Sequence, residues 1–262
     1  MRLAVTTAFF AFLAAEVAAC GALPQPPAAL RGSLVSNQDN TADITRAYFD
    51  GPTRIYDHGV LGDAIEATHL RVVGPVDTAS CGVEIAAGEG HVFEDTAPRL
   101  TDLDSDGRSE VIVVRTSLTQ GAQMAIYGMK DGALALLATT PYIGQAHRWL
   151  APIGAGDIDG DGRIEVAYID RPHLARVMRV WRFDGARLTE AYQIAGLTNH
   201  RIGDTTISGG FRTCDGVTEA VTASADWSRL LATRISSGKA LMRDLGPNTG
   251  ADAFAAALDC QR

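Results

Sequence analysis

The sequence has few basic and few aromatic residues, and it has no basic cluster. Lysine and arginine total 23 against 31 aspartates and glutamates, which gives a formal net charge of -8, and aromatic residues make up 6% of the 262 positions. Proteins that bind nucleic acid or an anionic membrane surface concentrate positive charge on one face. The composition therefore argues against both classes of partner.

Signatures of common catalytic sites are also missing. The sequence contains no G-x-S-x-G, no H-E-x-x-H and no glycine-rich phosphate loop. A long apolar segment occurs only at the beginning, over Leu3–Ala15, and it is too short to span a bilayer as a helix. These absences favour a binding or structural protein over an enzyme.

Cysteine is scarce, with four residues at Cys20, Cys81, Cys214 and Cys260. Four cysteines allow three full pairings, and one of the last three stays unpaired if Cys20 is lipidated or removed. We expect a Cys214–Cys260 disulfide, because it would hold down the alanine-rich, helix-compatible tail that begins at Ala251. The alternative is that all the thiols are free and buried.

Residues 1–22 have the pattern of an export signal. Arg2 supplies the positive charge, Leu3–Ala15 the apolar segment and Val17–Ala19 a small-residue cleavage site. The segment ending at Cys20 also resembles a bacterial lipobox, whereas Glu16 favours an ordinary signal. We expect export to the periplasm or the cell exterior, with a membrane anchor if Cys20 is lipidated.

The rest of the chain divides into two parts. Residues 23–45 are rich in Pro, Ala, Asn and Gln without periodicity, which is typical of a flexible linker. Residues 46–262 have an ordinary size for one all-β domain with a core of its own.

One acidic stretch occurs twice, over Asp102–Glu110 and Asp157–Glu165. Each copy has aspartate at places one, three and five, glycine at place six and glutamate at place nine. Alternate carboxylates converge on a cation when the glycine permits a sharp turn, so the pattern predicts two calcium loops. The alternative is a turn in which aspartates only cap the backbone. Because β-branched residues follow at once, each loop is expected to connect strands rather than helices.

The D-x-D-x-D-G-x-x-E loop followed by a hydrophobic strand resembles the FG-GAP/VCBS repeat family, whose repeats form blades of calcium-binding β-propellers. The resemblance implies an extracytoplasmic binding or scaffold module with structural calcium. The implied ligands are the backbone carbonyls of Arg108 and Arg163 and the side chains of Asp102, Asp104, Asp106, Glu110, Asp157, Asp159, Asp161 and Glu165.

The repeat period can be measured at independent landmarks. Gly132, Gly185 and Gly238 recur at intervals of 53 residues, and a degenerate third acidic loop lies at Asp215–Glu219. A shorter first copy is expected to form strands at 55–56, 64–68, 70–73 and 83–85. We predict an all-β fold, a small β-propeller of about four four-stranded blades, or five if one lies in the irregular parts, with a short C-terminal helix. A stack of antiparallel sheets is the alternative.

Loops at the opposite ends of the blades carry residue types common at binding sites. The predicted partner face consists of Trp149, Asp170, Arg171, His173 and Trp227. We expect a calcium-stabilised propeller that binds a protein or a glycan. The alternative is a hydrolase or lyase that uses His, Asp and Arg on this face.

Overall fold

The computed structural model describes residue 30 and residues 32–37, 43–74 and 82–262. Within these residues the protein is all-β, with one short helix, α1, at Ala251–Leu258. The strands of the first sheet are β1 Val35–Ser36, β2 Arg46–Thr53, β3 Glu66–Val73, β4 Val83–Ala86, β5 His91–Phe93, β6 Arg99–Thr101, β7 Glu110–Ser117, β8 Gly121–Lys130 and β9 Ala133–Thr139. Those of the second are β10 Leu150–Gly156, β11 Glu165–Asp170, β12 Val177–Phe183 and β13 Leu188–Ala195. Those of the third are β14 Leu197–Thr198, β15 Gly210–Cys214, β16 Val217–Ser224, β17 Arg229–Ser236 and β18 Lys239–Pro247.

All strand pairs in these sheets are antiparallel, and the same four-stranded arrangement occurs three times. The runs β6–β9, β10–β13 and β15–β18 each pair in sequence order, and each has a register shift between its last two strands. In the first sheet, β5 joins this arrangement to β3 and thereby to β1, β2 and β4. The 53-residue period of the sequence is therefore a period of the structure.

Alternation of side chains explains how the sheets pack. In β7, Val111 and Val113 pack against β2 and β3, whereas Ile112 and Val114 pack against the second sheet. Residues of β11 likewise contact the first sheet on one face and the third sheet on the other. Near-continuous apolar strands are expected where both faces are buried, so the N-terminal strands and the three repeated units form successive layers.

Helix α1 covers the outer face of the third sheet. Ala253, Phe254 and Ala257 are buried against Val221 and Ala223 of β16. Alanine is the best helix former, which accounts for a helix in this short tail. The predicted helix and the predicted disulfide are both confirmed, because Cys260 just beyond the helix is bonded to Cys214 at the end of β15.

The N-terminal strands differ from the sequence prediction. Strand β2 was not predicted. The segment 55–56 is a loop in which Tyr56 is nonetheless buried at 3% exposure. The two segments predicted at 64–68 and 70–73 correspond to the single strand β3, which begins at Glu66, since His69 continues the antiparallel pairing with Asp50. The apolar residues of this part were recognised, but a buried apolar residue has the same appearance in the sequence whether it lies in a loop or in a strand.

Several predictions concern residues that the structure does not describe. The export signal at 1–22, Cys20, Cys81 and most of the linker at 23–45 lie outside the described residues and stay predictions. Within the described part of the linker, β1 pairs with the start of β2. No helix in the described part of the chain has the length and apolar character needed to cross a membrane.

Candidate metal centre and opposite face

Two of the acidic stretches form matching loops between paired strands. Thr101 pairs with Glu110 and Gly156 with Glu165, so that each loop contains the same number of residues. The backbone turns through left-handed conformations at places four and six, with φ of 61° at Ser105 and 85° at Gly107. Place six is glycine in both loops because a left-handed conformation favours it.

Hydrogen bonds inside each loop hold the aspartate at place one. Asp102 accepts N–H bonds from Asp106 and Gly107, and Asp157 accepts them from Gly160, Asp161 and Gly162. These turn-forming bonds are those expected of an aspartate-rich turn. They account for the first aspartate, but they do not account for the carboxylates at places three and nine.

A buried glutamate at place nine completes each cluster. Glu110 and Glu165 are 5% and 0% exposed, and each accepts an N–H bond from the buried residue at place two, Leu103 or Ile158. In each loop, ligand atoms from places one, three and nine lie within 4.8 Å of one another. A cluster of carboxylate oxygens of this size suits a hard divalent cation, so the donor set fits the predicted metal.

The other predicted ligands are placed differently. Asp106 and Asp161, at place five, are not part of these clusters. Each accepts an N–H bond from the backbone of the arginine at place seven, Arg108 or Arg163. The carbonyl oxygens of these arginines stay predicted ligands.

The glutamates at place nine lie in an unfavourable electrostatic environment. Burial, together with the neighbouring Asp104, Asp106 and Asp102, raises the pKa of Glu110 to about 7. Burial also raises the pKa of Glu165, while hydrogen bonding to Arg182 opposes the rise. No arginine or lysine lies within ion-pair distance of Glu110 among the described residues. The first loop therefore gathers negative charge that a bound cation would stabilise.

The two loops and the strands between them fall within one recognised repeat. Residues 102–168 match the family model of the FG-GAP-like repeat. This segment is similar to an FG-GAP-like repeat. A comparison with curated proteins found no match to the chain. The predicted resemblance is thus confirmed for the segment that carries both loops.

The copy that follows the FG-GAP-like segment has a short turn in place of the acidic loop. Cys214 pairs with Val217, so Asp215 and Gly216 form a two-residue turn in which both have positive φ, as a type I′ hairpin requires. Its glutamate, Glu219, accepts hydrogen bonds from Arg212 Nη2 and Arg243 Nη2, each at 2.7 Å. Although burial alone would raise the pKa of Glu219, these two arginines lower it.

The predicted partner face lies at the other end of the strands. Strand β11 runs from Glu165 at its loop end to Asp170 at the opposite end, and six residues of strand span about 17 Å. Asp170 is buried and forms ion pairs with Arg171 and Arg179. Arg171 remains partly exposed, so it still presents a guanidinium on this face.

The tryptophans of the predicted partner face have different environments. Trp149 is 2% exposed, lies in the core between the first and second sheets, and donates its indole N–H to the carbonyl of Glu94 at 2.9 Å. It therefore presents almost no surface to a partner. Trp227 is half-buried, and the guanidinium of Arg201 lies 3.9 Å from the centre of its ring.

Histidines also gather at this end of the molecule. His58 Nδ1 lies 2.5 Å from a carboxylate oxygen of the fully buried Glu94. His173 Nε2 lies 3.2 Å from His200 Nδ1, and burial together with His200 lowers the pKa of His173 to about 4. His173 is therefore a neutral imidazole with a partner within the chain. Glu94 could not be identified from the sequence, because a single glutamate outside any repeated pattern carries no signal.

Proposed function

We propose that the protein is a calcium-stabilised β-propeller that acts outside the cytoplasm as a binding or scaffold module for a protein or glycan. The observation that carries the proposal is the cluster of Asp102, Asp104 and Glu110, in which the buried glutamate forms no ion pair with an arginine or lysine among the described residues. Oxygen donors alone favour calcium over zinc, which prefers nitrogen and sulfur ligands.

The bound ion would have a structural role. Asp102 and Asp104 would contribute from the loop, and Glu110 from the first position of β7, so that a cation held by all three would fix the loop to the edge of the sheet. The clustered negative charge of these carboxylates would be compensated by the ion. Leu103, buried at place two, anchors the same loop to the core.

The propeller arrangement is supported by the three repeated four-stranded units and by a contact between distant parts of the chain. The N–H of Gly203, in the connection between β14 and β15, donates to the carbonyl of Val60 at 3.0 Å. Val60 precedes β3, in the N-terminal unit. A contact between the first and last units is expected of blades arranged around an axis.

A role outside the cytoplasm is supported by the Cys214–Cys260 disulfide, because disulfides persist in oxidising compartments. Partner binding is proposed for the face that carries Arg171 and Trp227, since arginine and tryptophan are enriched at binding hot spots. Trp149 is omitted from this proposed face because it belongs to the core.

Thermal unfolding of the full chain in chelator and in calcium tests the proposal. A ligand that binds only the folded state stabilises it by about 2.7 kcal/mol when its concentration is about 100 times Kd, so calcium should raise Tm. Asp104→Ala should reduce this rise because it removes an exposed ligand from the cluster that carries the proposal.

Glu89→Ala provides the control for this experiment. Glu89 is an exposed acid next to β5, at the end of β7 opposite Glu110, and its loss changes the net charge equally. This variant should keep the full calcium response. Equal melting of the chelated and calcium-loaded wild-type protein would show that the loops are not calcium sites.

A further inference from the structure

The two acidic loops have the same carboxylates but different neighbours on the adjacent strand. Arg182 of β12 pairs in register with Glu165, and its Nε donates to Glu165 Oε1 at 3.0 Å. Its Nη2 hydrogen bonds to Asp159 and lies 3.3 Å from a carboxylate oxygen of Asp161. A guanidinium is thus already among the carboxylates of the second loop.

The first loop has no side chain at the matching position. Val111 pairs with Tyr127, so the antiparallel register places Gly128 opposite Glu110. A Cβ atom built on Gly128 would lie 3.7 Å from Glu110 Oε1, so this is the position from which an arginine side chain would reach the cluster. The cation beside the first loop, Arg108, pairs with Asp106, which lies outside the cluster.

The first loop is also more accessible to solvent than the second. Asp104 is exposed and lines an open cavity of about 490 Å³ with Glu110. Its counterpart Asp159 has a side chain only 8% exposed, because Tyr192 Oη donates to it at 3.0 Å in addition to Arg182. Beside the second loop, a cavity of about 170 Å³ is lined by Asp157 and Asp159 but not by Glu165.

We propose that Arg182 is the built-in cation of the second loop, so that this loop is held by a guanidinium and calcium binds tightly only at the first. This inference rests on the proposed calcium function. An arginine stays charged at any physiological pH and binds carboxylates through several N–H groups at once. Calcium could enter the second loop only after the guanidinium had left at least two carboxylates and been solvated elsewhere.

In the third unit, arginine side chains again bind the glutamate that corresponds to place nine. There Glu219 is held by Arg212 and Arg243, and the loop itself has become a two-residue turn. Along the chain, the glutamate at place nine thus has no arginine partner, then one, then two among the described residues. The sequence period aligns the three glutamates but hides this series, because the arginines occupy different strands.

The number of calcium ions bound per chain, measured by titration calorimetry on the full protein, tests the inference. We expect one tight site in the wild-type protein and two in Arg182→Ala. Arg187→Ala is the matched control, because Arg187 is an exposed arginine in the next turn that, within the described part of the chain, forms an ion pair only with Asp184, and this variant should keep one site.

The reverse exchange provides a second test that does not depend on the folding of Arg182→Ala. Gly128→Arg would bring a guanidinium to the first loop, and its Cβ would displace only the end of the Leu137 side chain, 2.7 Å away. We expect this variant to lose the calcium site of the wild-type protein. Retention of that site would contradict the inference.

The possible outcomes separate the two proposals. Two tight sites in the wild-type protein, or a single site in both the wild-type protein and Arg182→Ala, would overturn the role of Arg182 and leave the calcium function intact. An absence of binding in both proteins would overturn the calcium function itself. Binding in Arg182→Ala alone would support the role of Arg182 and contradict the first-loop site.

Discussion

Single carboxylates in this protein differ more in their surroundings than in their sequence context. Glu110, Glu165 and Glu219 occupy equivalent positions, and a buried carboxylate without a cation is costly at each of them. The acidic loops could be predicted from the sequence, because the spacing of their carboxylates reflects the local turn of the backbone. The sequence was not sufficient to find Arg182, because the contact depends on the register between β11 and β12, which is set by tertiary packing.

Glu66, at the start of β3, is another buried acid with an unusual environment. Burial, with Glu94, Asp63 and Asp95 nearby, raises its pKa from 4.5 to about 9. Between these values the unfolded chain has released a proton that the folded protein retains. The free energy of unfolding should therefore fall as pH rises through this window, by at most about 1.4 kcal/mol per pH unit.

Glu66→Gln should remove this dependence, because glutamine has nearly the same shape and does not titrate. The variant should match the wild-type protein near pH 4 and be more stable than it at pH 8, as measured by urea unfolding at fixed calcium concentration. Glu89→Gln, at an exposed site, should follow the wild-type curve. Parallel curves for Glu66→Gln and the wild type would contradict the assignment.

Secondary structure elements were predicted well wherever the repeat fixed them. The turns at Gly132 and Gly238 are two-residue hairpins with positive φ at both positions, so their glycines mark real strand ends. In the N-terminal copy no such turn separates β2 from β3. The prediction there followed hydrophobicity alone. It divided β3 into two strands, and it assigned a strand to the loop at 55–56, because apolar residues in a buried loop resemble those in a strand.

The disulfide connects the end of β15 to the residues just beyond α1. It closes a segment with a sequence separation of 46 residues, which corresponds to about 4 kcal/mol in the chain-entropy description. The double variant Cys214→Ser/Cys260→Ser should lose stability of this order in chemical unfolding. In this variant, hydrogen exchange relative to the wild-type protein should be accelerated more for the amides of α1 than for those of β11.

The second readout separates a local effect from a general one. Arg212 also holds this region, because its guanidinium donates to the carbonyl of Ala257 in α1. Equal acceleration of exchange in α1 and β11 would mean that the disulfide stabilises the whole fold rather than the helix.

At the scale of the whole molecule, the acidic loops and the proposed partner face lie at opposite ends of the same strands. Arg171 lies at the end of β11 opposite Glu165, because alternating connections of an antiparallel sheet emerge at alternate ends. Trp149 was included in the predicted face wrongly, since a tryptophan before a strand has the same appearance whether it faces solvent or a neighbouring sheet.

Arg171→Ala should therefore separate the two activities. We expect this variant to bind calcium like the wild-type protein, because the proposed calcium cluster belongs to the first sheet, whereas Arg171 follows β11 of the second sheet. It should recover less of the partner that the wild-type protein captures from an envelope extract in the presence of calcium. Arg187→Ala should behave as wild type in both assays, and a loss of calcium affinity in Arg171→Ala would contradict the separation.

Helix α1 also has a consequence for how a protein of this kind could gain length. Each repeated sheet offers an apolar face on which the next can pack, but the outer face of the third sheet is already covered by Phe254 and its neighbours. A duplicated unit placed after β18 would find no face available. A unit inserted between β13 and β14 would meet sheet faces on both sides, so duplication within the array, rather than addition beyond the helix, is the route of growth that this architecture leaves open.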